Sequence, residues 1–458
     1  MKNLTNIKSL FVDKYDLSTE SGRGKTRLKQ ALLASVSNGT SKLISLLVIV
    51  AIVRWGISYL GEERYGLWMT ITAMITLMSL ADLGINNSLV NLASNSSGKD
   101  DALSIRKGIA NAIVGLLSMT FIILIFSFIV LRGLDWTSIL NLKSQLAIDE
   151  AGISVIIFAS IFALSLPTAI VQKVLIGLQK GWQANIWIIL GQLLSILALW
   201  IAIQNESSLP ILILSLTVPP LIANIFCSIV FFIQYSHFIP RINDISEEGL
   251  RKLMTSGGMF FLIQILSLFG SATDNLIIAN QLGVTFVSEF SVVQRLAMIL
   301  GIAQLFIAPL WPAFGESLSR GDFKWAKKTF YKALSISILA SLVGGMVLMV
   351  AGNLIINAWT DNYISPNIYL LVGFSLYIVL GSFGGCLSVF LNNAELLRKQ
   401  ALIFFVASIV SFFLKFVLVG YFQSASGAIF GTVIGYGVFY VLPGIALVKA
   451  YFKENIEK

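Results

Sequence analysis

Five ionisable side chains fall inside apolar runs of the sequence: Lys42, Asp82, Asp274, Arg295 and Lys415. A charge at the centre of a membrane helix costs about 2.5–3.5 kcal/mol on insertion scales, so such residues face a cavity or a partner. Asp82 lies in "MSLADLGINNSLVN", residues 78–91, with Asn86 one helical turn further on and within reach of its carboxylate. The pair suits a proton or cation site, one half of a gating ion pair, or a structural cap. The "DLG" step permits a local helix break, which favours the cap. Asp274, in "GSATDNLIIAN", carries the same alternatives, with packing through Gly270, Ser271 and Ala272 as the structural one. Arg295 stands about ten residues into its helix, and its guanidinium matches phosphate geometry bidentately. It is therefore the candidate for an anionic group, with pairing to Asp274 as its structural alternative. Lys42 and Lys415 add positive potential to a shared cavity, or Lys415 snorkels from a lipid-facing position.

Other chemistries lack their residues. The single histidine, His237, sits in a basic loop, and the two cysteines, Cys227 and Cys386, fall in apolar runs without metal-ligand spacing. "SGRGKT" at 21–26 resembles a phosphate loop, but Thr19 occupies the place of its first glycine. No catalytic residue, metal or organic cofactor is expected, and the chain is expected not to be an enzyme. The coupling ion of a transporter, a proton or sodium, is the one small partner these charges suggest. Hydrophobic residues make up 56% of the 458 and charged residues 12%, far from the roughly 25% charged of soluble domains. The net charge of +9 is spread over short loops, which sets membrane topology and gives no basis for nucleic-acid binding.

The elements that must position these charges are apolar runs of membrane-spanning length. Twelve are expected: 31–53, 66–92, 108–131, 152–175, 183–203, 209–235, 253–280, 286–313, 330–351, 367–391, 400–420 and 426–448. Of the 32 Lys and Arg residues, 25 fall on one side of these spans and four, Arg54, Arg64, Arg132 and Lys143, on the other. The positive-inside rule then places both termini in the cytoplasm. Residues 1–28 form a polar, basic cytoplasmic leader. Helices in 29–235 and 253–448 make two six-helix lobes, joined by the loop 236–252 and followed by a cytoplasmic tail, 449–458. The stretch from Leu28 aligns weakly with that from Leu250, which supports parallel repeats related by an axis along the membrane normal. The expected fold is thus an all-α polytopic membrane protein with two pseudo-symmetric lobes around a central cavity. Four of the five intramembrane charges fall on the first two helices of a lobe or its repeat. Trp68, Trp182, Trp311 and Trp359 stand near span ends, as in interfacial belts. Glu316 and Lys173 are expected at the interface.

Several stretches carry a family resemblance: "LGEERYGLWMTITAMITLMSLADLGINNSLVN" from Leu60, "SEFSVVQRLAMIL" from Ser288, "PLWPAFGESLSRGD" from Pro309 and "VFLNNAELLRKQA" from Val389. In this order and spacing the chain resembles polysaccharide-transporter flippases of the Wzx type, in the multidrug/oligosaccharidyl-lipid/polysaccharide exporter superfamily. The resemblance implies translocation of an undecaprenyl-diphosphate-linked oligosaccharide, such as an O-antigen repeat unit, from the cytoplasmic to the periplasmic leaflet of the bacterial inner membrane. It implies ion-coupled alternating access, with Arg295 and Lys42 on the diphosphate and Asp82 and Asp274 as coupling or gating groups. Partners implied are the lipid-linked glycan, the bilayer, and a polysaccharide polymerase and chain-length regulator. The rival readings are a multidrug exporter of organic cations, which should favour acids in its cavity, and a membrane polymerase, which needs larger external loops.

Overall fold

The structure, a computed structural model, describes residues 15–78, 80–140, 142–301, 304–393 and 396–456. Within them the chain is helical, as a chain this apolar must be when a bilayer offers no water to its backbone groups. The principal helices are α1 (Glu20–Met78), α2 (Ile85–Gly98), α3 (Ala102–Ile129), α4 (Gln145–Thr168), α5 (Ile170–Gly177), α6 (Gly181–Gln204) and α7 (Leu209–Gln234). They are followed by α8 (Glu247–Gln281), α9 (Val284–Leu300), α10 (Leu310–Arg320), α11 (Phe323–Trp359), α12 (Ile368–Leu391), α13 (Leu397–Phe422), α14 (Ser426–Tyr436) and α15 (Leu442–Ile456).

Among the described residues, ten helical stretches are long and apolar enough to cross a membrane. The two remaining expected positions, 66–92 and 286–313, hold helices that are broken. The first runs to Met78 and resumes at Ile85 after a turn; the second stops at Leu300 and resumes, past a short helix at Gln304–Ile307, at Leu310. Both resume as a shorter helix that closes on a left-handed residue, Asp100 (φ 54°) or Gly321 (φ 87°). Each is then followed by an aspartate, Asp101 or Asp322, directly before the next long helix. The same sequence of events thus occurs once in each unit.

The chain divides into two compact units. Unit 1 contains Arg27–Gly258; unit 2 contains Met259–Lys458 with the segment ending at Thr26. The division falls inside α8, beyond the polar loop 236–252 expected to separate the lobes. Similarly, α1 begins at Glu20, within the expected leader, and its first turns belong to unit 2. There Arg23 holds Asp322 through two contacts, Nε–Oδ2 at 3.0 Å and Nη2–Oδ1 at 2.7 Å.

Unit 1 packs α2, α3, α5 and α7 around Ile85, Leu89, Ile109, Leu116, Val174 and Phe231. A second cluster includes Trp68, which is fully buried and so does not sit in an interfacial belt. Helix α1 passes through Gly61 (φ 73°, ψ 175°), where the backbone turns from the first span to the second. Near this turn Arg64 grips Glu150 at 2.7 Å with both carboxylate oxygens, and Glu150 also accepts from Leu209 N. On the other side of the spans Arg106 pairs with Asp244 at 2.8 and 3.0 Å. That guanidinium holds the Asp244 carboxyl below the usual carboxylate range.

Unit 2 packs α9, α11, α12, α13 and α14 around Phe290, Leu348, Phe374 and Ile429. Gly427, Gly431 and Gly435 recur every fourth residue of α14. A Cβ on any of them would come within 2.5–2.7 Å of the α13 backbone at Leu418, Lys415 or Ser411. This small-residue stripe lets the two backbones approach closely, the principal way membrane helices gain packing energy. Glu316, expected at the interface, is buried and pairs with Arg320 at 2.8 Å.

Candidate functional site

In unit 1 the sequence "ADLG" ends one helix and starts another. Leu83 (φ 48°) and Gly84 (φ 73°) both take left-handed conformations, which no helix accommodates. Asp82 Oδ1 accepts from Gly84 N at 2.9 Å, and Asp82 O accepts from Ile85 N at 2.9 Å. The carboxylate therefore closes an aspartate turn at the head of α2, where the helix dipole also favours negative charge. Asp82 is not on a continuous helix, so the expected helical sharing with Asn86 gives way to this local bond. Asn86 is buried at 6% exposure, and its Oδ1 has no hydrogen-bond partner among the described residues.

A neighbouring break presents the second charge of unit 1. Pro167 cannot donate within α4, and the helix yields after Thr168 to α5. Lys173, on α5, is half-buried, and the Asp82 carboxylate acts on it electrostatically. The expected interfacial placement of Lys173 rests on its position near a span end. Beside it, Gln172 Nε2 donates to Asn224 Oδ1 of α7. Helix α8 closes over the turn: an added Cβ at Gly257 would stand 2.9 Å from Leu83 O and 3.2 Å from Gly84 C and Ile85 N.

In unit 2 Asp274 on α8 meets Lys415 on α13, Nζ to Oδ1, at 2.6 Å. Lys415 is 2% exposed and Asp274 6%, so Lys415 is no snorkelling lipid-facing residue. Its ammonium also donates to Gly270 O at 2.9 Å. The Asp274 charge is felt by Tyr377 and Tyr436, and the Tyr436 hydroxyl meets Ser408 Oγ at 2.9 Å. The Gly431 contact with the Lys415 backbone sets this register. Asp274 thus pairs with Lys415, and the alternative pairing with Arg295 does not form.

Lys42 on α1 and Arg295 on α9 are both exposed. Neither makes an ion pair or hydrogen bond among the described residues. No group of three or more His, Cys, Asp or Glu residues able to hold a metal ion occurs among the described residues. Cys227 and Cys386 are buried free thiols.

A polysaccharide biosynthesis protein family model matches residues 28–318. A putative O-antigen transporter of Salmonella typhimurium is 24% identical over 449 residues, covering 93% of this chain and 98% of that protein. A putative O-antigen export protein of Yersinia pseudotuberculosis is 22% identical over 395 residues, covering 81% of this chain and 85% of that protein. Among solved structures, an outward-facing multidrug resistance MATE family transporter of the MOP superfamily superposes with TM-score 0.79 at 15% identity. It covers 94% of this chain and 96% of its own. A MOP superfamily transporter from Pyrococcus furiosus, described by the reverse polarity of its binding pocket, superposes at TM-score 0.78 and 14% identity, over 94% and 97% of the two chains. These likenesses share the fold.

Proposed function

The chain belongs to the polysaccharide biosynthesis protein family, and we propose that it is a flippase for an undecaprenyl-diphosphate-linked oligosaccharide. In this reading it carries the glycan lipid from the cytoplasmic to the periplasmic leaflet of the bacterial inner membrane, with both termini in the cytoplasm. The observation that carries the reading is the division of the intramembrane charges. Asp274 is matched by Lys415 at 2.6 Å within unit 2, and Asp82 closes the turn at Gly84 N within unit 1, where its charge acts on Lys173. The two that remain, Lys42 and Arg295, are exposed, and both are cationic.

An exposed cation in the apolar zone is tolerable where water or an anionic ligand reaches it. Arg295, in unit 2, offers a planar fork that fits two phosphate oxygens at once; Lys42, in unit 1, is a mobile point charge that suits an anionic group without that fixed geometry. An exporter of organic cations would present the reverse, free acids with the bases neutralised. The chemistry is transport, with no bond in the substrate made or broken.

Ion coupling is assigned to the two acids. A proton on Asp274 would remove one charge of a buried pair and strand Lys415, and a proton on Asp82 would withdraw the charge that acts on Lys173. That penalty is relieved by rearranging the helices that carry them. One elementary charge moving through the membrane potential supplies about 2.3 kcal/mol per 100 mV, enough to bias two conformations about fiftyfold.

The test is deletion of the gene, followed by analysis of surface glycan and lipid-linked intermediates. Loss of surface glycan, with undecaprenyl-linked units accumulating at the cytoplasmic leaflet, supports the flippase. Normal glycan with increased sensitivity to cationic drugs overturns it.

A further inference from the structure

The first turns of α11 carry Lys324, Lys327, Lys328 and Lys332, at the i, i+3, i+4 and i+8 positions that share one helix face. All four are exposed, and none makes an ion pair among the described residues. The opposite face is buried through Ala326 and Phe330. Of the carboxylates beside it, Asp322 is committed to Arg23 and Glu316 to Arg320, while Glu20 Oε1 accepts from Trp325 N at 3.2 Å. Helix α15 packs beside this stretch, with Phe452 against Phe330 and Tyr451 against Phe323. It brings exposed Lys449 and Lys453 to the same end of the unit, with Glu454 as its acidic counterpart. The apolar part of α11 begins at Ala333, which puts the lysine face at headgroup level.

We propose that this lysine face is a binding surface for the anionic phospholipid headgroups of the leaflet in which it stands. Topology setting alone requires basic residues on one side of the membrane. It does not require four on a single helix face. Lysines are mobile point charges, suited to headgroups that diffuse laterally, whereas the fixed fork of an arginine suits one held diphosphate. Each basic residue near an anionic surface strengthens attraction about fivefold. The inference rests on the chain spanning a membrane and stands apart from the identity of the transported molecule.

The experiment uses the full-length protein, delipidated in neutral detergent, with bound lipid counted by native mass spectrometry during titration with phosphatidylglycerol or phosphatidylcholine. The wild type is expected to take phosphatidylglycerol at least about tenfold more tightly, a preference that weakens as salt rises. The K324Q/K327Q/K328Q/K332Q variant should lose most of that preference, and the matching four-arginine variant should keep it. K327Q alone should lower it severalfold, which keeps the test decisive if the fourfold variant folds poorly. Equal binding of the two lipids, or an undiminished preference in the glutamine variants, overturns the proposal. So does displacement of phosphatidylglycerol by an equal concentration of inorganic pyrophosphate, which would mark a small-anion site.

Discussion

Asp274 and Lys415 stand 2.6 Å apart at the buried contact of α8 with α13, and each is the only counter-charge recorded for the other among the described residues. Removing one partner leaves an uncompensated charge, which costs about 3–5 kcal/mol in buried pairs. Lys415→Met is therefore expected to lower the thermal stability of the purified protein sharply. The double variant Asp274→Asn with Lys415→Met should recover most of the loss, because neither charge then remains. Equal stability of the single and double variants would show that the pair contributes no coupling.

Asp82 combines two tasks that substitution can separate. Asp82→Asn keeps an oxygen for Gly84 N, and so keeps the turn, but withdraws the charge that acts on Lys173. Its cost should be relieved by adding Lys173→Gln. Asp82→Ala loses the turn as well, a further penalty of about 0.5–2 kcal/mol by analogy with lost helix caps, which Lys173→Gln cannot relieve. Unfolding midpoints of the four variants check this order.

Gly257 is required by contact and not by conformation. Its added Cβ would press on the backbone of Leu83, Gly84 and Ile85, which cannot swing away as a side chain would. Alanine normally improves a helix interior by about 1 kcal/mol over glycine. Gly257→Ala should instead destabilise, by about 1–3 kcal/mol as in other overpacked cores. Gly258 has open space around the same position, so Gly258→Ala is the internal control and should be neutral or stabilising.

Hydropathy exposed most of the fold, because the cost of placing a residue in lipid is a property of that residue. The break at "ADLG" was legible too, since aspartate and glycine tolerate turns that a helix does not. Which charges pair was not legible. That depends on helix register, and in unit 2 the register of α13 is set by Gly427, Gly431 and Gly435 from another helix. Lys415 consequently looked as suited to lipid as to a cavity. Trp68 differs from its expected interfacial belt for the same reason: proximity to a span end says nothing of the neighbour that covers it. Gly257 carries no periodic signal, because its role is a contact with a turn over 170 residues earlier in the chain.

Arg106 and Asp244 give unit 1 an acid-sensitive clamp outside the apolar spans. The folded-state pKa of Asp244 is depressed, first by its hydrogen bonds with Arg106. Such a group stabilises the fold above the unfolded aspartate value, about 3.9. Its contribution is lost as pH falls through the lower folded value. Arg106→Gln should thus reduce stability at pH 7 and flatten the decline below about pH 4, with the two proteins converging in strong acid. Denaturant midpoints measured across that range check the sign; a parallel offset at every pH would assign the clamp's effect to packing instead.

Arg295 separates substrate binding from folding, because it is exposed and has no partner among the described residues. Substitutions away from buried contacts usually change stability by no more than about 0.5 kcal/mol. Arg295→Ala should leave the unfolding midpoint nearly unchanged. It removes hydrogen bonds to a charged group worth about 1.5–3 kcal/mol, so export should fall at least about tenfold. Arg295→Lys retains the charge but not the two-pronged fit, and should fall between the two. If the diphosphate is the ligand, all three proteins must separate in their titration with a lipid diphosphate in detergent, in the order Arg, Lys, Ala. Full glycan export by Arg295→Ala at normal expression would remove this residue from the binding role and leave Lys42 as the exposed intramembrane cation to test next.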